Sequence, residues 1–266
     1  MLKMKNMIDI TKLHNSLLIN GDCFSVLKKI PDNSIDLILT DPPYNIAKYS
    51  TGNMKFDWRS DINNDLAEWD LTELQPKDLV NEFKRILTPN GNIFIFCSYN
   101  IIGEYHKVFD PEFDTFQFMV WHKTNPVPNF RKSSFLNSCE LIIGCWNKGH
   151  TWNFTSQNDM HNFIESGICM GNERIKGADG KNLHPTQKPL TILEKIIKIA
   201  SNEDNIILDC FNGVGSTGEA ALKLNRKYIG IEIDNTYMNA TYKRLLKYFD
   251  KDVYIDKKSD YTAIWG

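Results

Sequence analysis

Four consecutive residues, Asp41-Pro42-Pro43-Tyr44, carry groups that can hold an amine. They follow the apolar segment SIDLILT at 34–40, which predicts a buried strand. Two prolines lock φ and lack N–H donors, so their carbonyls are free to face a ligand. The Asp41 carboxylate and the Pro42 carbonyl can each accept one N–H of a substrate amine, while Tyr44 stacks on its ring. A strand ended by a capped turn is the structural alternative for D-P-P alone, but we predict that all four residues are catalytic.

A glycine-rich turn in the C-terminal half can hold a nucleoside. The segment DCFNGVGSTG at 209–218 passes from a predicted strand into a predicted helix and matches G-x-G-x-x-G. Glu232 lies 19 residues after Gly213, at the end of the next predicted strand, where its carboxylate can accept hydrogen bonds from both ribose hydroxyls. We predict an adenosine-containing cofactor, with a purely structural turn as the alternative.

Charge indicates which adenosine cofactor the turn accepts. A dinucleotide brings a pyrophosphate to the helix N-terminus, whereas S-adenosylmethionine brings a sulfonium cation and no phosphate. Asp209 precedes the turn and Glu219 falls in the first helical turn, so both acids favour a cation. Glu219 also stands where a P-loop has its phosphate-binding lysine, which argues against ATP chemistry. We therefore predict S-adenosylmethionine as the cofactor and a reaction that requires no metal.

Another acid follows the first predicted strand. Asp22 can accept the adenine amino group, with Cys23 and Phe24 beside the ring, although an Asp after a Gly more often caps a helix. The carboxyl ends of parallel strands share one edge, and in open α/β sheets ligands bind at that edge. Four predicted strand ends carry an acid: Asp22, Asp41, Asp209 and Glu232.

Together these groups predict direct methyl transfer to an exocyclic amine. The amine of adenine is a poor nucleophile because its lone pair is conjugated with the ring. Two acceptors that hold its hydrogens favour rehybridisation and direct the lone pair toward a methyl carbon on positive sulfur. Positioning and electrostatics then supply most of the acceleration of an in-line attack.

The elements that must position these residues alternate between short strands and amphipathic helices, which predicts an α/β fold with a mostly parallel sheet covered by helices on both faces. The predicted strands are Ser16–Asn20, Ser34–Thr40, Asn92–Cys97, Asn205–Asp209 and Lys227–Ile231. The predicted helices are Phe24–Ile30, Lys77–Leu87, Pro189–Ala200, Ser216–Leu224 and Asn235–Tyr248, with a turn at Thr88–Gly91. Residues 45–70 and 125–183 break the alternation.

The charge is unevenly distributed along the 266 residues. The net formal charge is −2, yet residues 121–198 carry ten Lys and Arg against six acids. This basic block largely coincides with the segment 125–183, which is too long for an idle connection. Cations interleave there with aromatics, as in surfaces that hold a phosphate backbone and stack bases. A solvated insertion with a small core of its own is an equal alternative.

Cysteine usage and hydropathy predict a reduced, cytoplasmic protein. The six cysteines have no framework spacing, and Cys139, Cys145 and His150 lack an accompanying metal-binding pair. The N-terminal residues contain no continuous apolar stretch, and no run of 18 apolar residues occurs anywhere. We therefore expect neither export nor a membrane span.

Four motifs give the sequence a resemblance to the amino-methyltransferases that act on DNA: TDPPYNI at 40–46, WHKTNPVPN at 121–129, HPTQKPL at 184–190 and DCFNGVGSTG at 209–218. The catalytic tetrapeptide precedes the target-recognition region, and the cofactor turn comes last. That order resembles the circularly permuted β-group common in restriction–modification systems. The likeness covers most of residues 16–247.

The resemblance implies a permuted Rossmann-like methyltransferase sheet with an inserted target-recognition region at 125–183, between catalytic parts at 1–124 and 184–266. It implies DNA as partner, a prokaryotic or phage setting and a homodimer. The predicted cofactor residues are Asp22, Cys23, Thr186, Lys188, Asp209, Phe211, Asn212, Gly213, Gly215, Ser216, Thr217 and Glu232, with Thr186 and Lys188 near the methionine end. The predicted DNA contacts are Lys123, Asn125, Arg131 and Lys132.

Three residues depart from the usual family turn, D-P-F-x-G-S-G-T-T. Cys210 replaces Pro, while Val214 and Ser216 replace Ser and Thr. These changes bear on the fit of the backbone and leave the identity of the cofactor unaffected. His184 invites a general-base role, but the amine loses its proton only after methyl transfer, when water can take it. We interpret His184 as structural.

A base paired in a duplex cannot reach the tetrapeptide, so a duplex substrate must be flipped out. Residues 45–70, with Phe56, Trp58 and Trp69, and residues 125–183 are candidates for filling the gap. The leading Asp favours adenine N6, because relatives that act on cytosine N4 more often begin with Ser. Cytosine C5 chemistry needs a Pro-Cys dipeptide, and no cysteine here follows Pro.

Other readings remain open from the sequence. The same chemistry fits cytosine N4, RNA or a glutamine amide in protein as acceptor. A nicotinamide-dependent dehydrogenase would share the glycine turn but leave D-P-P-Y unexplained. A non-catalytic nucleic-acid-binding module would have no need of an acid-lined cofactor turn.

Overall fold

A computed structural model describes residues 9–13, 15–44, 74–130 and 132–249. The strands are β1 (Asp9–Leu13), β2 (Ser16–Asn20), β3 (Ile35–Thr40), β4 (Leu87–Cys97), β5 (Thr115–Lys123), β6 (Cys139–Trp146), β7 (Phe163–Ser166), β8 (Ile206–Asp209) and β9 (Lys227–Glu232). The helices are α1 (Cys23–Leu27), α2 (Lys77–Ile86), α3 (Ile102–Phe109), α4 (Leu190–Ala200), α5 (Ser216–Lys223) and α6 (Asn235–Leu245).

The nine strands of the described ranges form one sheet in the order β1-β2-β9-β8-β3-β4-β6-β5-β7. The five strands from β2 to β4 in this order run parallel, and β1 closes one edge antiparallel to β2. On the other side, β6 is antiparallel to both β4 and β5, while β7 is parallel to β5. The strand order reverses between β3 and β8, so a ligand crevice is expected outside their carboxyl ends.

Both faces of the parallel strands are buried. Successive residues of β3 pack on opposite sides, with Ile38 in one apolar cluster and Leu37 and Leu39 in the other. The first cluster includes Phe83 of α2, and the second includes Ile192 of α4. Such strands read as continuous apolar runs because neither face meets solvent. The double-faced burial fixes the height at which each strand ends, and with it the position of the acids that follow.

The structure confirms the predicted α/β class, a mostly parallel sheet with helices on both faces. Some boundaries differ. The helix predicted at Phe24–Ile30 is the shorter α1, and the predicted last turn of α6 is a 3-10 turn at Leu246–Tyr248. The predicted turn Thr88–Gly91 belongs to β4, whose pairing with β3 jumps from Leu87 to Asn92, so these residues bulge out of the ladder.

Residues 125–183, which break the predicted alternation of strands and helices, nevertheless contain regular elements. The segment supplies β6 and β7 to the main sheet, and β6 is a largely buried strand between β4 and β5. Its apolar core, LIIGCW, was overlooked because polar and glycine-rich residues flank it on both sides. The target-recognition role stays a prediction, now for the connections around β6 and β7. Residues 45–70, with Phe56, Trp58 and Trp69, lie outside the described residues.

Candidate active site

The two predicted halves of the site meet in one cavity at the carboxyl edge of the sheet. Thr40 ends β3 and its Oγ1 donates to Asp209 Oδ1 at the end of β8, 2.8 Å away. The cavity is lined by the following predicted residues: Asp22, Cys23, Asp41, Pro42, Pro43, Tyr44, Thr186, Lys188, Asp209, Phe211, Asn212, Gly213, Ser216, Thr217 and Glu232. Asp41 and Gly213 thus face the same space, as direct transfer requires.

The glycine turn between β8 and α5 depends on two glycines in the left-handed region. Gly213 has φ +53° and Gly215 has φ +76°. A Cβ on Gly215 would lie 2.6 Å from Thr241 Cγ2, and one on Gly213 would lie 3.2 Å from His184 Nε2. Gly215 does not line the cavity, so its role is to let the backbone turn at this point. Glycine at both positions lets the turn fold closely over the cavity.

Two acids beside the turn, Asp209 and Glu232, are held by neutral donors; we call them the turn acids. Glu232 accepts hydrogen bonds from the N–H groups of Gly213 and Asp234, both at 2.8 Å. Asp209 accepts from the Phe211 N–H at 3.1 Å as well as from Thr40. Within the described ranges neither acid has a Lys or Arg ion-pair partner.

Burial raises the pKa of Asp209 to about 6 and that of Glu232 to about 7. Their ionised forms are therefore costly in the empty protein, and a cationic ligand in the cavity would stabilise them. The backbone N–H bonds that Glu232 accepts act in the opposite direction and oppose the increase in its pKa.

Asp22 caps a helix and also lines the cavity. Its Oδ2 caps α1 by accepting hydrogen bonds from the N–H and the hydroxyl of Ser25, at 2.9 and 2.8 Å. The same side chain lines the cavity together with Cys23 and Phe24. The cap fixes Asp22 in place, and contact with a cofactor stays a prediction.

Glu219 does not favour a cation in the cavity, contrary to the prediction. Its carboxylate is buried and faces α6, where it pairs with Arg244 and with Lys247, the latter at 2.5 Å. It does not line the cavity. A position in the first turn of a helix says nothing about which face a side chain occupies, and here that face packs on a neighbouring helix. The negative charge near the turn comes from the turn acids.

Asp41 belongs to a group of five polar side chains that we call the β3 cluster: Asp41, Tyr44, Lys123, Glu140 and Lys188. The Tyr44 hydroxyl lies 2.7 Å from Asp41 Oδ1 and 2.6 Å from Glu140 Oε1. Lys188 forms ion pairs with Asp41 Oδ2 and, at 3.0 Å, with Glu140 Oε1. Lys123 pairs with Glu140 Oε2 at 2.9 Å. Two cations therefore balance two carboxylates.

The cluster shifts the pKa values of its members in opposite directions. Burial raises the pKa of Asp41, and the negative charge of the nearby Glu140 raises it further. For Glu140 the cost of burial is overcome by Lys188 and Lys123, which lower its pKa to about 2. Burial disfavours the charge on Lys188, but Asp41 and Glu140 raise its pKa to about 12. Glu140 and Lys188 are charged at neutral pH, while burial opposes the ionisation of Asp41 and Lys188 favours it.

Sequence reasoning missed Glu140. It is the second residue of β6, in the run NSCEL that has no recognisable motif. Sequence could have exposed it only through the recognition of β6 as a strand antiparallel to β4, which brings its beginning to the edge where β3 ends.

Two residues of HPTQKP were expected near the methionine end of the cofactor. Thr186 lines the cavity, while the ammonium group of Lys188 lies in the β3 cluster. His184 packs its ring against Tyr237, with centroids 5.0 Å apart, and burial lowers its pKa to about 3. A neutral His184 is compatible with the structural interpretation, which stays a prediction.

The three predicted DNA contacts that the structure describes, Lys123, Asn125 and Lys132, do not line the cavity. Asn125 accepts from the Ile168 N–H at 2.8 Å and braces the connection after β7, and Lys132 is exposed. Lys123 is engaged with Glu140 and lies over the Trp121 ring. Arg131 lies outside the described residues. A DNA role for these side chains stays a prediction.

All six cysteines are unpaired, and Cys139 alone is exposed. In the part of the chain that the structure describes, no group of three His, Cys, Asp or Glu side chains is arranged to hold a metal ion. Nor does any described helix have the length and hydrophobicity needed to cross a membrane.

Comparison with known proteins agrees with the geometry. The profile of a DNA methylase family, covering N6 and N4 enzymes, matches residues 35–243. The type II methyltransferase M.HinfI of Haemophilus influenzae is 37% identical over 247 residues, which are 86% of this chain and 67% of that protein.

Solved structures agree as well. The M1.HpyAVI–SAM complex is 29% identical, with a TM-score of 0.60 over 86% of this chain and 98% of that one. The cytosine-N4-specific PvuII DNA methyltransferase, at 18% identity, shares the fold with a TM-score of 0.66 over 91% of this chain and 89% of its own.

Proposed function

This chain belongs to the N6/N4 family of DNA methylases found in restriction–modification systems, and from that membership we propose that it transfers a methyl group from S-adenosylmethionine to the exocyclic N6 of adenine in DNA. One observation carries the proposal: the Asp-Pro-Pro-Tyr segment and the glycine turn line the same cavity. A donor on one wall and an acceptor on the other can react directly there. The dehydrogenase alternative has no support in the family assignment.

The residues beside the turn suit S-adenosylmethionine. The turn acids are buried without a cationic partner in the described part of the chain, so a ligand with positive charge relieves their desolvation. Glu232 is in position to accept from ribose hydroxyls, and Phe24 and Phe211 offer apolar surface to a purine. A diphosphate would meet these acids and receive no lysine from the turn. When bound, S-adenosylmethionine supplies a methyl carbon activated by positive sulfur.

The Asp-Pro-Pro-Tyr wall receives the target base. Asp41 accepts one N–H of the exocyclic amine, and the Pro42 carbonyl accepts the other. The Tyr44 ring stacks on the base. The ammonium group of Lys188 lies 5.4 Å from the centroid of this ring and supports it. With both hydrogens held, the nitrogen lone pair points toward the methyl carbon, so orientation and electrostatics lower the barrier. Water accepts the proton that the methylated amine releases.

Adenine is the preferred target because the tetrapeptide begins with Asp41 and not with Ser. Cytosine N4 presents the same chemistry and is the alternative acceptor within the family. A base in a duplex must be flipped into the cavity, at a cost of a few kcal/mol. The connection between β5 and β6, residues 124–138, leaves from the same edge of the sheet and exposes Phe135 and Lys132, which suit the gap and the phosphates. A homodimer remains an expectation, for sedimentation to test.

Two assays test the proposal. Equilibrium binding should favour S-adenosylmethionine over NAD. Labelled methyl groups should enter unmodified DNA, and nucleoside analysis should recover the label in N6-methyladenine. Recovery in N4-methylcytosine would retain the family and refute adenine. Label in RNA or in protein, with none in DNA, would refute DNA as the substrate.

A further inference from the structure

The donors that satisfy Asp41 are shared with a second carboxylate. Tyr44 contacts Oδ1 of Asp41 and Lys188 contacts Oδ2, so both oxygens already have a partner. Each of these donors also reaches the same oxygen of Glu140, Oε1, at 2.6 Å for the hydroxyl and 3.0 Å for the ammonium group. The hydroxyl of Tyr44 has one proton and can donate to only one of the two carboxylates at a time.

This sharing matters when a substrate amine arrives. If Asp41 accepts an N–H, at least one of its present donors must turn away from it. A buried donor that loses its acceptor is costly, and a buried ammonium group without a carboxylate is more so. A movement that transfers the donor to an acceptor already within reach avoids this cost. Glu140 Oε1 is such an acceptor, and it requires no rearrangement of the backbone.

We propose that Glu140 is a positioning residue that takes over the Tyr44 hydroxyl and the Lys188 ammonium while Asp41 accepts the target amine. The inference rests on the proposed function, because it concerns what Asp41 does with an exocyclic amine. No bond is made or broken by Glu140. It frees an acceptor at Asp41 and keeps the Tyr44 ring in the orientation in which it meets the base.

Glu140 is fixed for this role from its other side. The ammonium group of Lys123 pairs with Glu140 Oε2 at 2.9 Å. Both side chains are largely buried, with 18% of Lys123 and 11% of Glu140 exposed. Glu140 pairs with Trp121 in the β5–β6 register, and the ammonium group of Lys123 lies 5.2 Å from the Trp121 ring centroid. The second lysine keeps Glu140 ionised, so it can accept both donors. Lys123 is then a support for Glu140, in addition to or instead of a DNA contact.

The charges around Asp41 predict how the pH dependence of methyl transfer changes when Glu140 is replaced. Among the described residues, the titratable groups that interact electrostatically with Asp41 are Lys188, Glu140, Tyr44, Asp209, Cys97 and Tyr105. Glu140 is the strongest like charge among the neighbours of Asp41 and raises its pKa. Replacing Glu140 with a neutral group removes this repulsion and leaves Lys188 to Asp41 alone, so the pKa of Asp41 falls.

The test compares Glu140→Gln with the wild-type full chain in methyl transfer to DNA. We expect kcat to fall at least tenfold, because a misplacement of about 1 Å can cost about 100-fold. Affinity for S-adenosylmethionine should be unchanged, since Glu140 does not line the cavity. The acid limb of kcat/KM should move to lower pH. Lys123→Gln should lower kcat less, and Glu112→Gln, which breaks an exposed pair with Lys84, should have no effect.

A second variant covers the case in which Glu140→Gln folds poorly. Glu140→Asp keeps the charge but withdraws the carboxylate by one methylene, so kcat should fall while the acid limb stays at the wild-type pH. Wild-type kcat and an unmoved acid limb in Glu140→Gln, or wild-type kcat in Glu140→Asp, would overturn the inference. If the wild-type enzyme itself methylates no base amine, the proposed function fails instead, so the two failures are distinct.

Discussion

Two groups of carboxylates, each with at least one member that lines the same cavity, differ in what compensates their charge. In the β3 cluster, lysines pair with Asp41 and Glu140. The turn acids accept hydrogen bonds from backbone N–H groups and a threonine hydroxyl and, among the described residues, have no cationic partner. The distance between the two groups is short, since Thr40 and Asp41 are adjacent and Thr40 bonds to Asp209.

This contrast in charge compensation lets one cavity hold two unlike reactants. A wall with uncompensated acids favours a ligand that brings its own positive charge. A wall in which charge is already balanced has no net attraction for an ion, and its oriented acceptors suit a neutral amine. The orientation of the two reactants then follows from the electrostatics of the walls, before any contact specific to a base or a ribose.

Removal of the Asp41 carboxylate should have the largest effect. Asp41→Ala takes away one acceptor for the amine, and we expect methyl transfer to fall by at least about 1,000-fold. Affinity for S-adenosylmethionine should stay within about twofold, because the turn acids are intact. Single-turnover rates and calorimetry measure the two quantities. Asp110→Ala, at the distant exposed end of α3, serves as control. Near-normal turnover would refute the role of Asp41.

Neutralising a turn acid should have the reverse profile. Glu232→Gln keeps the shape of the side chain but removes its charge, so the dissociation constant of S-adenosylmethionine should rise about 10- to 100-fold, equivalent to about 1.5–3 kcal/mol. At saturating cofactor, kcat should change little. Glu203→Gln, exposed at the opposite edge of the sheet just before β8, is the matched control. Unchanged affinity would remove Glu232 from the cofactor site.

The turn acids also predict a pH dependence of cofactor affinity. With its pKa raised to about 7, Glu232 is mostly protonated in the empty protein at pH 6 and mostly ionised at pH 8. A cation binds the ionised form, so affinity should fall about tenfold from pH 8 to pH 6, with protons released on binding at the lower pH. Calorimetry in buffers of different ionisation enthalpy measures the release. If the affinity is constant over this range, or rises toward pH 6, the turn acids do not respond to the cofactor as uncompensated charges.

Outside the cavity, the exposed Lys132 offers a way to separate DNA binding from chemistry. If it contacts a phosphate, Lys132→Ala should weaken DNA binding a few-fold and lower the slope of log affinity against log salt by about 0.9. Lys28→Ala is the control, because Lys28 caps the far end of α1, away from the carboxyl edge. A salt slope equal to that of wild type would exclude the contact.

The smallest effects concern the backbone of the turn. Gly215 and Gly180 have almost the same φ, +76° and +75°, but a Cβ would collide with Thr241 only at Gly215. Both alanine variants bear the conformational cost of about 1 kcal/mol, and Gly215→Ala should lose a further 1–3 kcal/mol from the collision. Chemical denaturation measures both. Equal losses of stability in the two variants would show that the close approach of Gly215 to Thr241 of α6 is unimportant.

Local patterns in the sequence predicted both walls but not their electrostatic difference. The apolar run of β3, the prolines after Asp41 and the spacing from Gly213 to Glu232 are features of short segments, and each can be interpreted without the rest of the chain. Glu140 meets Asp41 only because β6 lies antiparallel beside β4, which is a long-range arrangement. The HPTQKP motif identifies the segment that contains Lys188 but leaves the direction of its long side chain open. The structure places the ammonium group in the β3 cluster.

The measurement that tests the central claim most directly is a crystal structure of the protein with a non-reactive S-adenosylmethionine analogue and target DNA. We predict the adenosyl group between Phe211 and Glu232, and the exocyclic nitrogen of an adenine hydrogen-bonded to Asp41 and the Pro42 carbonyl. The transferable position should lie about 3–3.5 Å from that nitrogen. A base amine held away from Asp41, or an adenosyl group outside the cavity that Asp41 and Gly213 share, would contradict direct transfer between the two walls.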